Sequence, residues 1–214
     1  GDFLGIPVKQ VMHKGEPVIL EGGAIDVNGN GTLLTTEECL LDPEVQVRNP
    51  NYTKADYELI FKKYLGVTNT IWLGNGIAGD DTHGHVDDLC RFVNAKTIVT
   101  VVEEDEKDAN YKPLQDNLKR LQQAKLEDGS SPAIVTLPMP KAINYEDLRV
   151  PASYANFLIL NKTVLVPTFN DANDRIALNT LADLFPDREV IGIGAIDLIW
   201  GLGTLHCLSM QLPE

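Results

Sequence analysis

Three short segments, far apart in the 214-residue chain, carry side chains able to do chemistry: Glu21-Gly22-Gly23, Gly84-His85-Val86-Asp87-Asp88 and Gly203-Thr204-Leu205-His206-Cys207. They supply a carboxylate, an imidazole followed two residues later by an aspartate, and a thiol. A thiol acting as nucleophile needs a proton shuttle, and a positively charged substrate needs carboxylates to hold it. The inventory is that of a cysteine nucleophile working on a small cation. Gly201 and Gly203 permit backbone to approach a ligand beside Cys207, whereas Cys39 and Cys90, next to Leu40, Leu41 and Leu89, read as small buried hydrophobes.

Composition agrees with such a substrate without identifying it. Lys and Arg total 18 against 31 Asp and Glu, a formal charge of −13, which argues against nucleic acid or an anionic membrane as partner. The same charge also serves plain solubility. A hydrophobic content of 43% suffices for one sizeable core. Three cysteines with no CxxC pair suggest neither a disulfide framework nor a zinc knuckle, so a reducing cytoplasm is the expected location. There is no apolar run of spanning length and no basic leader at the start, and the expectation is a soluble, unexported protein. Asn51-Tyr52-Thr53 and Asn161-Lys162-Thr163 are then chance matches to the glycosylation pattern. The chain opens without Met, as the remainder of something longer would.

Turn signals laid against apolar runs give the elements that must position these residues. Asn28-Gly29-Asn30-Gly31 separates strands predicted at 24–27 and 32–36. Asn94-Ala95-Lys96 separates 88–93 from 97–102, and Asn161-Lys162 separates 154–160 from 164–169. The turn asparagines lie 66 and 67 positions apart. Amphipathic helices are predicted at 53–65, 111–126 and 172–184, each followed by a strand, at 70–73, 133–137 and 189–193. Strand, turn, strand, helix, strand is thus written three times, the mark of a propeller or array of units that bury their faces on neighbours. An ordinary α/β sandwich is the alternative. No GxGxxG or Walker loop opens any helix, which disfavours a doubly wound nucleotide-binding sheet.

Two motifs admit metal readings. Asp26, Asn28, Asn30, Gly31 and Glu37 fit an EF-hand loop, but calcium binding there needs a helix on each side, and the flanking sequence is strand and turn. His83, His85 and Asp87 would share one face of a strand. The glycines and aspartates of 79–84 instead place His83 in a surface loop, leaving His85 and Asp87 together at a strand start. His206 would then face away from the site, as a structural residue.

The Glu21-Gly22-Gly23 segment with its Asn-Gly turn and Thr35-Thr36-Glu37-Glu38-Cys39-Leu40, together with Gly84-His85-Val86-Asp87, Tyr154-Ala155-Asn156-Phe157, Pro186-Asp187-Arg188-Glu189-Val190 and His206-Cys207, resembles agmatine deiminase and the bacterial-type peptidylarginine deiminases. The resemblance runs through essentially the whole chain. It implies an α/β fold, the pentein propeller of ββαβ-type units, of which about three of five are present here. Residues 1–214 would form one catalytic domain fragment, the C-terminal part of the family domain. The family's N-terminal part, with a tryptophan-x-arginine-aspartate motif whose aspartate holds the guanidinium, has no counterpart in this sequence.

Carried over by position, Cys207 is the nucleophile, His85 the acid and base, Glu21 its carboxylate partner, and Asp87 the clamp that accepts two parallel bonds from the guanidinium. The implied reaction hydrolyses agmatine to N-carbamoylputrescine and ammonia, a step of putrescine and polyamine synthesis, with no cofactor or metal. A deiminase of arginine or peptidyl-arginine, and an inert fragment lacking the N-terminal carboxylate, are the alternatives. The implied partners are the missing N-terminal portion or a second copy. Two departures bear on substrate preference: Gly201-Leu202-Gly203 replaces a triple glycine, and Leu208-Ser209-Met210-Gln211 replaces Ile-Thr-Gln-Gln.

Overall fold

The computed structural model describes Gly5, Pro7 and residues 9–211. A small hairpin, β1 (Met12–His13) with β2 (Glu16–Pro17), precedes three units of one design. The first is β3 (Asp26–Val27), β4 (Thr32–Thr36), the short α1 (Glu37–Leu41), α2 (Lys54–Leu65) and β5 (Asn69–Leu73). The second is β6 (Cys90–Asn94), β7 (Thr97–Val102), α3 (Tyr111–Gln123) and β8 (Ala133–Pro138). A second small hairpin, β9 (Asn144–Tyr145) and β10 (Leu148–Arg149), leads to β11 (Leu158–Ile159), β12 (Thr163–Thr168), α4 (Asp174–Leu184) and β13 (Glu189–Gly194).

Each unit makes its own three-stranded sheet in the same order. The first two strands pair antiparallel across the asparagine turn, and the helix carries the chain back so that the last strand lies parallel to the middle one. Thr32, Thr97 and Thr163 each open a middle strand and face the first residue of the parallel partner, at Asn69, Ala133 and Glu189. The asparagines earn their position chemically: Asn28 Oδ1 accepts from the backbone N–H of Asn30 and Thr32, and Asn94 Oδ1 from that of Lys96. Middle strands are buried because helices cover them, β4 over its whole length.

Neighbouring units interlock. α3 packs on β5 as well as on its own β7, and α4 on β8 as well as on β13. Arg91, 4% exposed, joins all three units: its Nε donates to Asp26 Oδ1 at 2.9 Å and its Nη1 to the Phe157 carbonyl at 3.0 Å. One apolar core runs from Leu34 through the second and third units, and a smaller one joins Ala24, Leu33, Cys39, Tyr57 and Phe61.

The EF-hand reading fails on these facts. The loop joins two strands, its Asp26 holds Arg91, and Asn28 Nδ2 donates to the Ala95 carbonyl and to Glu127. Three predicted strands are shorter than expected, the one at 88–93 beginning only at Cys90. Residues 22–24 form a 3-10 turn, and only Leu158–Ile159 of 154–160 pairs as strand, because Ser153 and Asn156 commit their side chains to the site described next. Helix α3 stops at Gln123 and α4 starts at Asp174.

Candidate functional site

After β13 the chain makes a 3-10 turn at Leu198–Gly201, and Leu202 ends it in the left-handed region at φ +60°. That is where the resembling family has glycine; a side chain there costs on the order of 1 kcal/mol, and Leu202 packs that side chain against the main core. Gly203 cannot be replaced so freely. A Cβ on it would stand 2.7 Å from Cys207 Cβ and 3.1 Å from its Sγ. Residues 205–208 form a turn, not the expected strand, so His206 does not face away. The turn is held by Asn156, whose Oδ1 accepts from Thr204 Oγ1 at 2.8 Å and from the backbone N–H of His206 and Cys207 at 3.0 and 3.3 Å.

His85 and Asp87 are not on a strand either. Asp80 Oδ2 accepts the backbone N–H of Gly84 and His85 at 2.8 and 3.0 Å, and Val86–Asp88 then winds into a 3-10 turn before β6 begins at Cys90. The turn buries Asp87 completely. Its Oδ2 meets His206 Nδ1 at 2.7 Å, accepts from Asn156 Nδ2 at 3.1 Å and lies 3.4 Å from Cys207 Sγ. Asp87 Oδ1 is buried without a partner. Gly23 explains why that oxygen is not simply packed over: a Cβ there would lie 2.5 Å from His85 Nδ1 and 2.9 Å from Asp87 Oδ1. Thiol, imidazole and carboxylate therefore converge from segments more than a hundred residues apart. His83 sits in the loop, as expected, with Nε2 3.1 Å from Asp42 Oδ2.

Glu21 stands on the other side of His85. One donor atom from each of Glu21, Cys39 and His85 lies within 4.8 Å of the others. Arg48 Nε donates to Glu21 Oε1 at 2.9 Å, and the same guanidinium donates to the carbonyls of Cys39, Gln46 and Thr82. Burial would raise the Asp87 carboxyl, but the His206 hydrogen bond and the nearby Arg91 guanidinium hold it below the usual carboxylate range. Burial, reinforced by the adjacent Asp87, pushes Asp88 well above it, so of the two neighbours Asp88 keeps the proton. Cys207 is exposed as a residue, yet its sulfur rests on these groups. Lost hydration first, then the adjacent acidic pair, of which Asp87 carries the charge, push the thiol up, against hydrogen bonds from Asn156 and the Thr204 backbone.

Asn156 and Arg48 carry no role in the sequence reading, and His206 carries the wrong orientation. Asn156 Nδ2 has two hydrogens for three acceptors, Asp87 Oδ2, Asp88 Oδ1 at 3.0 Å and Cys207 Sγ at 3.0 Å. The signal for it was present, in the Tyr154-Ala155-Asn156-Phe157 segment; the signal for Arg48 was not, since it lies 27 residues from Glu21 in a loop. Gly23→Ala provides a direct check on the convergence. It is expected to destabilise by about 1–3 kcal/mol, because both displaced groups are buried, and to lower turnover by about 100-fold, the usual result of an ångström-scale misplacement.

A family model for the Porphyromonas-type peptidyl-arginine deiminase matches residues 5–213. The chain belongs to this family. A candidate agmatine deiminase of Lactococcus lactis subsp. lactis is 38% identical over 219 residues, covering 94% of this chain and 59% of the relative. The solved agmatine deiminase of Enterococcus faecalis superposes with a TM-score of 0.86 at 34% identity, over 92% of this chain and 58% of that one. A variant of the C. jejuni agmatine deiminase with substrate bound gives 0.81 at 38% identity, over 89% and 55%. The α/β fold is thus that of the agmatine deiminases, and this member spans a little under three-fifths of the length of the relatives it matches. Among the described residues no helix is long and apolar enough to cross a membrane.

Proposed function

We propose that this chain carries the catalytic centre of an agmatine deiminase-type hydrolase, with Cys207 as nucleophile, His85 as acid and base, Glu21 as its carboxylate partner and Asp87 as guanidinium clamp. The supporting observation is the convergence of Cys207 Sγ on Asp87 Oδ2 at 3.4 Å, with His85 and the unpartnered Asp87 Oδ1 both packed against Gly23. His206 and Asn156 already occupy Asp87 Oδ2, so the guanidinium meets Oδ1 and the two-bond fork inferred from sequence becomes contact at one oxygen.

In the proposed reaction the Cys207 thiolate attacks the guanidinium carbon, forming a C–S bond and a tetrahedral adduct. A C–N bond breaks as His85 gives its proton to the departing ammonia, leaving an S-alkylthiouronium. Water then adds to that carbon while His85 takes its proton, and the sulfur leaves as the carbon becomes a urea carbonyl. Agmatine and water yield N-carbamoylputrescine and ammonia. Because Asp87 is among the groups that hold the thiol proton, a bound cation that neutralises it favours thiolate formation as substrate arrives.

The proposed architecture is a pentein ring of five such units, residues 1–214 forming one part of the catalytic domain. The proposed partner is the remainder of that domain or a second copy. The short strand β11 borders a groove lined by Leu158, Leu160, Ser209 and Met210, and Leu160 and Met210 are exposed. A clean monomer in dilute sedimentation would remove this last point.

Ammonia release is to be measured with agmatine, free arginine and a peptide ending in arginine. Turnover of agmatine above the other two is the expected outcome; preference for arginine or the peptide would transfer the site to the second substrate class, which the family description favours. If no guanidine is hydrolysed even after the rest of the family domain is supplied, the site is inert and the proposal fails.

A further inference from the structure

Glu21 and His85 present atoms the proposed reaction leaves unexplained. His85 is 7% exposed and its Nε2 is buried without a hydrogen-bond partner. Glu21 Oε2 is in the same condition, because Arg48 Nε engages only Oε1. An unpaired buried acceptor is destabilising by about 1–3 kcal/mol. Here a carboxylate and an imidazole crowd together with the buried thiol of Cys39, their donor atoms within 4.8 Å of one another. Carboxylate oxygen, neutral imidazole nitrogen and thiolate sulfur are the donor set of a borderline divalent cation. Arg48 also fixes the third donor in place, since its Nη1 donates to the Cys39 carbonyl at 3.3 Å.

We propose that Glu21, Cys39 and His85 form a binding site for a thiophilic divalent cation of the zinc class, separate from the Cys207 thiol, and that occupation withdraws His85 and Glu21 from catalysis. The inhibitory consequence rests on the deiminase reading; the binding does not. On binding, the hydrated cation exchanges three waters for the three side-chain donors and keeps one in the fourth position. The Cys39 S–H bond breaks and its proton leaves to solvent. A thiol binds a cation as the thiolate, so uptake of the cation releases the proton. Affinity therefore rises with pH. Glu21 and the Cys39 thiolate supply two negative charges, one of which Arg48 also engages. A second group, Asp87, Asp88 and Cys207, also has donor atoms within 4.8 Å, but His206 and Asn156 already engage Asp87 Oδ2 and Asp88 holds a proton.

Cobalt(II) added to the metal-free protein is the probe. Wild type and Cys207→Ala are expected to develop a near-ultraviolet sulfur-to-cobalt charge-transfer band that Cys39→Ala lacks. Calorimetry in buffers of different ionisation enthalpy should show about one proton released per cation. His85→Gln, which preserves side-chain bulk, should weaken binding at least about tenfold, and it decides the matter should Cys39→Ala not fold. A band that survives in Cys39→Ala and vanishes in Cys207→Ala overturns the site, as does the absence of both band and proton release in wild type. Since none of these signals needs turnover, cobalt binding through Cys39 in a protein that hydrolyses no guanidine would remove the deiminase reading and leave the metal site standing.

Discussion

Cys207→Ala is expected to abolish agmatine hydrolysis, lowering kcat by at least about 10⁴-fold while the protein still folds. The loss is large because the sulfur forms the covalent bond to the guanidinium carbon, and no other side chain near Asp87 can replace it. Stability should change by no more than about 0.5 kcal/mol, since residue 207 is exposed and its turn hangs on the Asn156 amide and backbone rather than on sulfur. Steady-state ammonia release and a thermal melt on one preparation give both numbers. Trapping of a substrate-mass adduct in wild type and not in the variant would locate the intermediate, whereas undiminished ammonia release in the variant would end the nucleophile assignment.

Asp87→Asn should produce two effects of opposite sign. Turnover is expected to fall by about 10²- to 10⁴-fold, because the neutral amide no longer attracts the guanidinium or balances its charge during attack. The thiol itself should ionise more readily. Asp87 is a negative neighbour that favours the protonated thiol, and its removal lowers the Cys207 pKa. The substitution also removes one of the causes that raise Asp88, while burial, the leading one, stays in place. Alkylation by iodoacetamide reports this, as Cys39 and Cys90 are buried. The pH midpoint for labelling should move down in Asp87→Asn, and in wild type it should move down on adding a non-reactive guanidinium ligand. Midpoints that stay fixed in both experiments would dissociate Asp87 from thiol ionisation.

The threefold pattern was legible in the sequence because it rests on local chemistry. Asn28, Asn94 and Asn161 mark turns, and the strand and helix periods on either side of them follow from alternate or helical burial. The largest boundary shift came where side chains had tertiary business. The strand expected at 154–160 gives way because Ser153 Oγ donates to the Asp88 carbonyl and Asn156 is drawn to the Cys207 turn. Side-chain direction was the harder matter. Alternation places His85 and Asp87 at a strand start, but it cannot register that the Asp80 carboxylate captures two successive backbone N–H groups and bends the chain. Alternation likewise turns His206 away from the site, where the Asn156 amide instead folds residues 205–208 into a turn that aims it at Asp87. Arg48 was invisible altogether, because nothing in a loop of 42–53 announces which distant carboxylate its lone arginine will meet.

Helices α3 and α4 each rest partly on the terminal strand of the unit before their own, so no unit owns a complete interior. Heat or denaturant should consequently dissolve all three in one step. A chain cut inside any of them would leave its neighbours with bare apolar flanks rather than with a smaller working protein.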